Sequence, residues 1–275
     1  MMTTSWAVID KRLTSIEADV RGRLAAPSLS LPVDPVDFAI AAGVTPDPWQ
    51  AEVLRSPSRN SILCCSRQSG KSLVTAVMAT HQATTIPDSL IAIFSPTLAQ
   101  SQELYEKIRE LHQTLAAEAP SAVEESAMRL KLANGSRITC RPAKDANVRG
   151  LSSVALLIVD EASRVPDPLY RAIRPMILVS RGRVMLLSTP WGQRGFFYDE
   201  WAHGGADWHR VKVTAAECPR IDPAELVAER RRIPSWFAQQ EYDCEFVDDE
   251  TQMIPTDLVR AALSSDVTPL EVTLP

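Results

Sequence analysis

An α/β fold with a central, mostly parallel β-sheet flanked by helices is predicted by three observations on this 275-residue chain. Short β-rich apolar runs, SILCC (61–65), LIAIFS (90–95), VALLIVD (154–160) and RVMLLS (183–188), alternate with longer helical patterns. Each run is almost continuously hydrophobic, as a strand covered on both faces must be, whereas a strand with one wet face alternates. The 45% apolar and 23% charged composition is that of a globular protein able to bury a large interior.

The elements follow in order. Residues 1–36 form a polar, partly helical N-terminal extension that ends in LSLPVDPVDF, whose prolines and alternating apolar residues predict an extended connector. The core occupies 37–190. Between its second and third runs, MRLKLANGSRITCR alternates around Asn134-Gly135, a dipeptide suited to a tight hairpin because both residues accept positive φ. After residue 190 the pattern changes to FFYDEWAH, a short WHRVKV strand and helices at 222–232 and 234–243, the second with Pro234 in its first turn. This predicts a small second subdomain at 191–247. Residues 248–275 begin acidic and end in an apolar run with nothing left to pack on, which reads as a linker.

Composition excludes several classes. No apolar run approaches the roughly 18 residues of a membrane span, and the charged N-terminus lacks the hydrophobic region of a secretory signal, so a cytoplasmic protein without membrane contact is expected. The five cysteines, Cys64, Cys65, Cys140, Cys218 and Cys244, are odd in number and form no C-x-x-C pair, which argues against a disulfide framework or a zinc site. The net charge of −5 gives no global attraction to nucleic acid. Locally, however, Arg129, Lys131, Arg137, Arg141, Lys144 and Arg149 face only Asp145 in the intervening sequence, and Arg164, Arg171, Arg174, Arg181 and Arg183 follow. Such groups form either a solvated face or an anion-binding surface.

The chemistry is carried by two segments. Ser66-Arg67-Gln68-Ser69-Gly70-Lys71-Ser72 follows a buried strand and opens a helix. In that context backbone N–H groups and the helix N-terminus face an anion, Lys71 neutralises the β- and γ-phosphates of ATP, and the Ser72 hydroxyl reaches Mg2+. Cys65 stands where the usual phosphate-loop pattern has its first glycine. The second segment, Leu156-Leu157-Ile158-Val159-Asp160-Glu161-Ala162, is an apolar strand ending in two carboxylates. Asp160 is placed to hold the magnesium through water and Glu161 to polarise the attacking water, a pairing that favours hydrolysis; a plain helix start is the alternative. Together the segments predict a P-loop NTPase of the RecA/ASCE-like type. Two flanking features fit it. The Gln50 amide of Trp49-Gln50 offers one acceptor and one donor to an adenine edge, or else caps a helix. Ser188-Thr189-Pro190 ends the fourth run, where hydroxyls beside the γ-phosphate would sense its loss, or simply turn the chain.

The set Trp49-Gln50, Arg67-Gln68-Ser69-Gly70-Lys71-Ser72, Ser95-Pro96-Thr97, Asn147-Val148-Arg149-Gly150, Val159-Asp160-Glu161-Ala162, Ser188-Thr189-Pro190 and Gln240-Glu241-Tyr242-Asp243-Cys244-Glu245-Phe246 resembles the ATPase half of the large terminase subunit of tailed bacteriophages, over about residues 45–247. The resemblance implies an ATP hydrolase that drives double-stranded DNA into a procapsid. It would work as a homo-oligomeric ring, a pentamer in known cases, with the portal protein and the small terminase subunit as partners, in the host cytoplasm and transiently at the portal vertex. It also implies that Arg67 joins Lys71 and Glu161 in catalysis, that Arg149 is a finger reaching a neighbour's ATP, with a surface ion pair as the alternative, and that Arg129 and Lys131 contact DNA. The subdomain at 191–247 resembles the family's lid. Family members usually continue into an RNase H-like nuclease; this sequence stops before one, so 248–275 reads as a linker toward an absent nuclease domain and no DNA cutting is expected from these residues. A helicase-like translocase would share the glutamine, the phosphate loop and the Asp-Glu pair but needs a second RecA-like domain. A non-hydrolysing nucleotide-binding scaffold would not need Glu161.

Overall fold

The computed structural model describes residues 31–143 and 151–247, together with Leu258 and Ala262. Residues 1–30 of the extension, the segment with Lys144, Asp145 and Arg149, and nearly all of 248–275 lie outside the described residues.

The apolar runs become the strands of one eight-stranded sheet. These are β1 (Asn60–Cys65), β2 (Leu90–Ser95), β6 (Leu156–Asp160) and β7 (Arg183–Ser188); joining them are β3 (Ala122–Ser126), β4 (Arg129–Leu132), β5 (Arg137–Pro142) and β8 (Trp208–Val213). The order is β3-β4-β5-β2-β6-β7-β1-β8, parallel from β5 to β8, with β3 and β4 added antiparallel at one edge. β1 pairs with β7 through Asn60 with Val184 to Cys64 with Ser188, and β7 pairs with β6 up to Asp160 with Leu187. The ends of these three strands therefore lie side by side, and the residues that follow them share one rim of the sheet.

The continuous hydrophobicity of the strands is explained by two cores, one on each face. Leu63, Ile91, Ile93 and Ile158 pack with Phe38, Val53, Val77, Met78, Leu104 and Ile108, from α1 (Pro35–Ala41), α2 (Pro48–Arg55), α3 (Lys71–Thr85) and α4 (Leu98–Thr114). Their neighbours in sequence, Ile62, Ala92, Phe94, Leu157 and Val159, point the other way, toward Tyr170 and Ile173 of α5 (Asp167–Ile173) and Phe196 and Phe197 of α6 (Gly195–His203). Each fully buried large aliphatic or aromatic side chain contributes about 1.5–3 kcal/mol of transfer free energy, and on β2 apolar side chains from Leu90 to Phe94 are buried on both faces.

The structure differs from the sequence expectations in several places. The connector LSLPVDPVDF is not extended throughout. Asp34 caps α1, its carboxylate accepting from the N–H groups of Val36 and Asp37, and Pro35 occupies the first helical position, where its missing N–H costs nothing. The WHRVKV segment is not confined to the second subdomain, since β8 pairs in parallel with β1 from Asn60 with Trp208 to Cys65 with Val213. The following helices are α7 (Pro223–Arg230) and α8 (Ser235–Glu241), shorter than the predicted spans. Finally, β3 is exposed along its whole length, so it carries no apolar signal. The hairpin between β4 and β5 turns at Asn134-Gly135 as expected, but of the two only Gly135 takes positive φ, +85°. The Gly135 N–H donates to the Leu132 carbonyl and the Leu132 N–H to the Ser136 carbonyl, closing a three-residue loop, and the Asn134 amide bonds to the Ala83 carbonyl.

Candidate functional site: a phosphate-loop cleft

The phosphate loop leaves β1 at Cys65 and enters α3 at Lys71. Its backbone is held in an unusual shape: Gln68 and Gly70 have φ of +58° and +96°. The Ser69 hydroxyl donates to the Ser66 carbonyl at 2.8 Å, and the Ser66 N–H donates to the Val213 carbonyl of β8 at 2.8 Å. Lys71 is 93% buried, and its ammonium donates to the carbonyls of Cys65 and Ser66, each at 3.1 Å. A folded-back lysine, a loop turned through positive φ and a helix N-terminus are the features suited to receiving a polyphosphate.

Across the loop, β6 delivers Asp160 and Glu161. Asp160 is buried, its Oδ1 has no hydrogen-bond partner, and burial, reinforced by the charge of Glu161, pushes its carboxyl up to about 7. An ion-sized positive charge near Asp160 would reverse that shift and supply the missing partner. Among the described residues no three His, Cys, Asp or Glu side chains cluster as a metal site. Magnesium suits such a place, because it commonly takes one carboxylate and completes its shell with water and substrate phosphates. Ser72 lies in the cleft on the loop side.

Glu161 sits in the left-handed region, φ +46°, at the turn from β6 into a short 3₁₀ segment, Ala162–Arg164. This turn aims its carboxylate between two groups: Oε1 lies 3.7 Å from the Lys71 ammonium and Oε2 accepts from the Ser188 hydroxyl at 3.2 Å. Ser188 is fully buried at the end of β7, between β1 and β6. Its hydroxyl lies 2.7 Å from that of Ser163, which also donates to the Thr189 carbonyl at 2.8 Å. Thr189 lines the cleft and Pro190 is buried behind it.

The loop and Glu161 border a cleft of about 800 Å³ that α4 also lines, through Gln100, Glu103 and Lys107. Arg67, 62% exposed, reaches the wholly buried Glu241 of α8 at 2.6 Å, and Arg164 approaches the same carboxylate at 3.7 Å while lying over the Trp191 ring. The Gln-Glu-Tyr segment thus ends against the phosphate loop. Trp49 packs partly buried against the helical core. Gln50 is buried and engaged: its Oε1 accepts from the Asp47 N–H at 2.8 Å in a capping box, and its Nε2 lies 3.4 Å from the Gly70 carbonyl. Lys71, Ser72, Glu161 and Thr189 are brought to one cleft, with Asp160 and Ser188 beneath them. Arg129 and Lys131 are elsewhere, on the exposed face of β4. Sequence reasoning did not single out Ser163, Gln100, Glu103 or Lys107; of these only α4 was foreshadowed, by the Ser95-Pro96-Thr97 segment whose threonine caps that helix.

The fold and this cleft define a P-loop α/β domain of the NTPase class. A family model described as terminase large subunit, T4likevirus-type, N-terminal, matches residues 62–260, and the chain belongs to that family. Among curated relatives, the large terminase subunit of Thermus virus P23-45 is 27% identical over 240 residues, covering 74% of this chain and 49% of its own. That of Escherichia phage T5 is 26% identical over 227 residues, covering 78% and 51%. The chain spans about half the length of these relatives. The solved ATPase domain of the Thermus phage P74-26 large terminase superimposes with a TM-score of 0.69 at 23% identity, over 77% of this chain and 98% of that one. A large terminase from a thermophilic bacteriophage in complex with ATP-γ-S aligns with a TM-score of 0.59 at 15% identity, over 73% and 52%.

Proposed function

We propose that this chain binds and hydrolyses ATP in the cleft between the phosphate loop and β6, and that turnover moves double-stranded DNA as part of a viral packaging motor. The observation that carries the reading is the meeting of Lys71 and Glu161 at 3.7 Å beside a buried, partnerless Asp160 oxygen. Lys71 is the charge for the β- and γ-phosphates, with the loop N–H groups as further donors. Glu161, which Ser188 holds by hydrogen bond, orients the attacking water. Asp160 and Ser72 would hold magnesium, whose charge would neutralise the phosphate oxygens. Ser188, Thr189 and Pro190 link the water-orienting carboxylate to the end of β7, which suits a coupling role. Arg67 lines the cleft, and in its pairing with Glu241 it keeps a 62% exposed side chain that could serve the phosphates. The adenine reading for Trp49 and Gln50 would require the Gln50 side chain, buried and bonded to the Asp47 N–H and facing the Gly70 carbonyl, to turn toward the cleft when nucleotide binds.

The remaining assignments rest on family membership. They are the finger role of Arg149, a homo-oligomeric ring such as a pentamer, docking to the portal with the small terminase subunit, and a working place in the host cytoplasm at the procapsid vertex. The division into a core to residue 190 and a lid at 191–247 is likewise proposed, with β8 as the strand that fastens the lid segment to the core.

The test is a pair of variants assayed for nucleotide binding and phosphate release. Lys71→Ala is expected to lose both. Glu161→Gln is expected to keep Mg-ATP binding within a few-fold while turnover falls by at least about 10²-fold, as for other groups that act mainly in the transition state. Normal turnover in Glu161→Gln would sink the assignment.

A further inference from the structure

We infer that Arg220, with Asp47 and Gln50, forms a clamp on the outer side of the phosphate loop that sets its affinity for ATP and ties the segment after β8 to the loop. The inference rests on the nucleotide-binding reading and adds to it a positioning residue for which no motif accounts.

The argument begins with the backbone. A loop that turns its N–H groups inward toward a phosphate turns carbonyls outward, and each of these must find a donor or leave a buried acceptor unpaired. Two loop carbonyls are approached by side chains from distant elements. The Ser69 carbonyl accepts from Arg220 Nη2 at 2.7 Å, and the Gly70 carbonyl faces Gln50 Nε2 at 3.4 Å. The Gly70 carbonyl also accepts from the Leu73 and Val74 N–H groups at 3.1 and 3.3 Å, so the Ser69 carbonyl is the one that depends on such a donor. Ser69 itself is completely buried.

The two donors are not independent. Arg220 Nη1 donates to Asp47 Oδ1 at 2.9 Å, and Asp47 in turn donates its backbone N–H to Gln50 Oε1 at 2.8 Å. The loop is therefore gripped by one connected unit of three side chains, anchored in the first turn of α2 and in the chain between β8 and α7. Gly70 shows how closely they approach. A Cβ there would stand 2.5 Å from Gln50 Nε2 and 3.1 Å from Arg220 Nη2.

Fold stability is a poor explanation for Arg220. Its side chain is 49% exposed, and a half-exposed ion pair contributes little to folding. What Arg220 fixes is the direction of the Ser69–Gly70 peptide unit, and with it the Gly70 N–H at the entry to the helix. Because Arg220 lies beyond β8 in the segment assigned to the lid, a shift of that segment would also pull directly on the phosphate loop, by a route separate from the Arg67–Glu241 pair.

The experiment measures the dissociation constant of a fluorescent ATP analogue with magnesium, together with KM, kcat and thermal melting, for wild type, Arg220→Ala, Arg220→Lys, Asp47→Ala and the Asp47→Ala/Arg220→Ala double variant. Lys71→Ala serves as the non-binding control. Arg220→Ala is expected to weaken binding by about tenfold with the loss in KM more than in kcat, Arg220→Lys to recover part of it, and the double variant to bind little worse than the weaker single one, since the residues act as a unit. Wild-type affinity in Arg220→Ala, with Lys71→Ala still non-binding, would overturn the clamp alone. So would a fall in kcat that tracks a lowered melting temperature, which marks a merely structural residue. Absence of binding by the wild type would overturn the clamp and the nucleotide reading together.

Discussion

Glu161 occupies a backbone conformation that only a few per cent of non-glycine residues adopt, and that φ of +46° swings its carboxylate back across the end of β7. There Ser188 donates to it at 3.2 Å, while the neighbouring Ser163 hydroxyl competes as a partner at 2.7 Å. Removing the donor leaves a charged acceptor less well oriented, and a hydrogen bond to a charged group is worth about 1.5–3 kcal/mol. Ser188→Ala is therefore expected to slow hydrolysis by roughly 10- to 100-fold with little change in nucleotide affinity, checked by steady-state phosphate release and a binding titration. A variant that loses binding in proportion would place Ser188 on the phosphates instead. The positions of Asp160 and Glu161 at the close of a buried strand, and of Lys71 at the start of the helix after another, were legible in the sequence because a continuous apolar run followed abruptly by polar residues marks where such a strand ends. Ser163 and Arg220 were not, because their meaning is a contact rather than a type; Arg220 meets Ser69 across 151 residues of chain. Gln50 was visible but ambiguous, and its capping geometry is the one the structure displays.

Among the elements, the buried strands were recoverable almost to the residue, since burial on both faces leaves a continuous apolar run with turn residues beyond it. The edge strand β3, AVEES, offers neither run nor buried alternation and was invisible for that reason. The start of α1 was hidden by the prolines around it, although Asp34 ahead of Pro35 is a strong cap in retrospect. This cap yields a test. Asp34 accepts from two helix N–H groups, and Arg55 pairs with its other oxygen at 2.8 Å; the Arg55 guanidinium and the helix donors hold its carboxyl down at about 2. A depressed carboxyl stabilises the fold above its unfolded value near 4, and that contribution is lost as pH falls through about 2. Asp34→Ala is expected to cost about 1 kcal/mol at neutral pH in denaturant melts. The gap between variant and wild type should then close between pH 4 and pH 2, and a constant gap across that range would show that the charge is not what the helix end uses.

On the scale of the whole molecule, the strand order separates two surfaces that one helix joins. β4 lies five strand spacings from β1, about 24 Å, so the basic hairpin and the phosphate loop belong to different regions of the sheet. Between them runs α4, whose Gln100, Glu103 and Lys107 line the nucleotide cleft while the Tyr105 hydroxyl donates to the Arg129 carbonyl at 2.9 Å. Arg129 and Lys131 stand on the exposed side of β4, with Lys131 opposite Arg137 of β5; Arg141 lines the same shallow depression of about 300 Å³, with Glu124 as a partial counter-charge. Leu130 and Leu132, alternating with them, are buried. The basic side chains therefore cannot turn inward without exposing the core, and the face is fixed by the strand rather than by loop conformation. A packaging motor of the proposed kind would need phosphate contacts and no base readout, and this face offers the charges for them. Replacing Arg129 and Lys131 together by alanine is expected to weaken binding to duplex DNA equally for unrelated sequences, and to make the slope of log affinity against log salt shallower by about 2, close to one unit for each lost phosphate contact. Affinity measured from low to moderate salt on two duplexes of different sequence decides it. A slope unchanged from wild type would move the DNA to another face, and a loss confined to one sequence would mean base contacts that a packaging motor does not need.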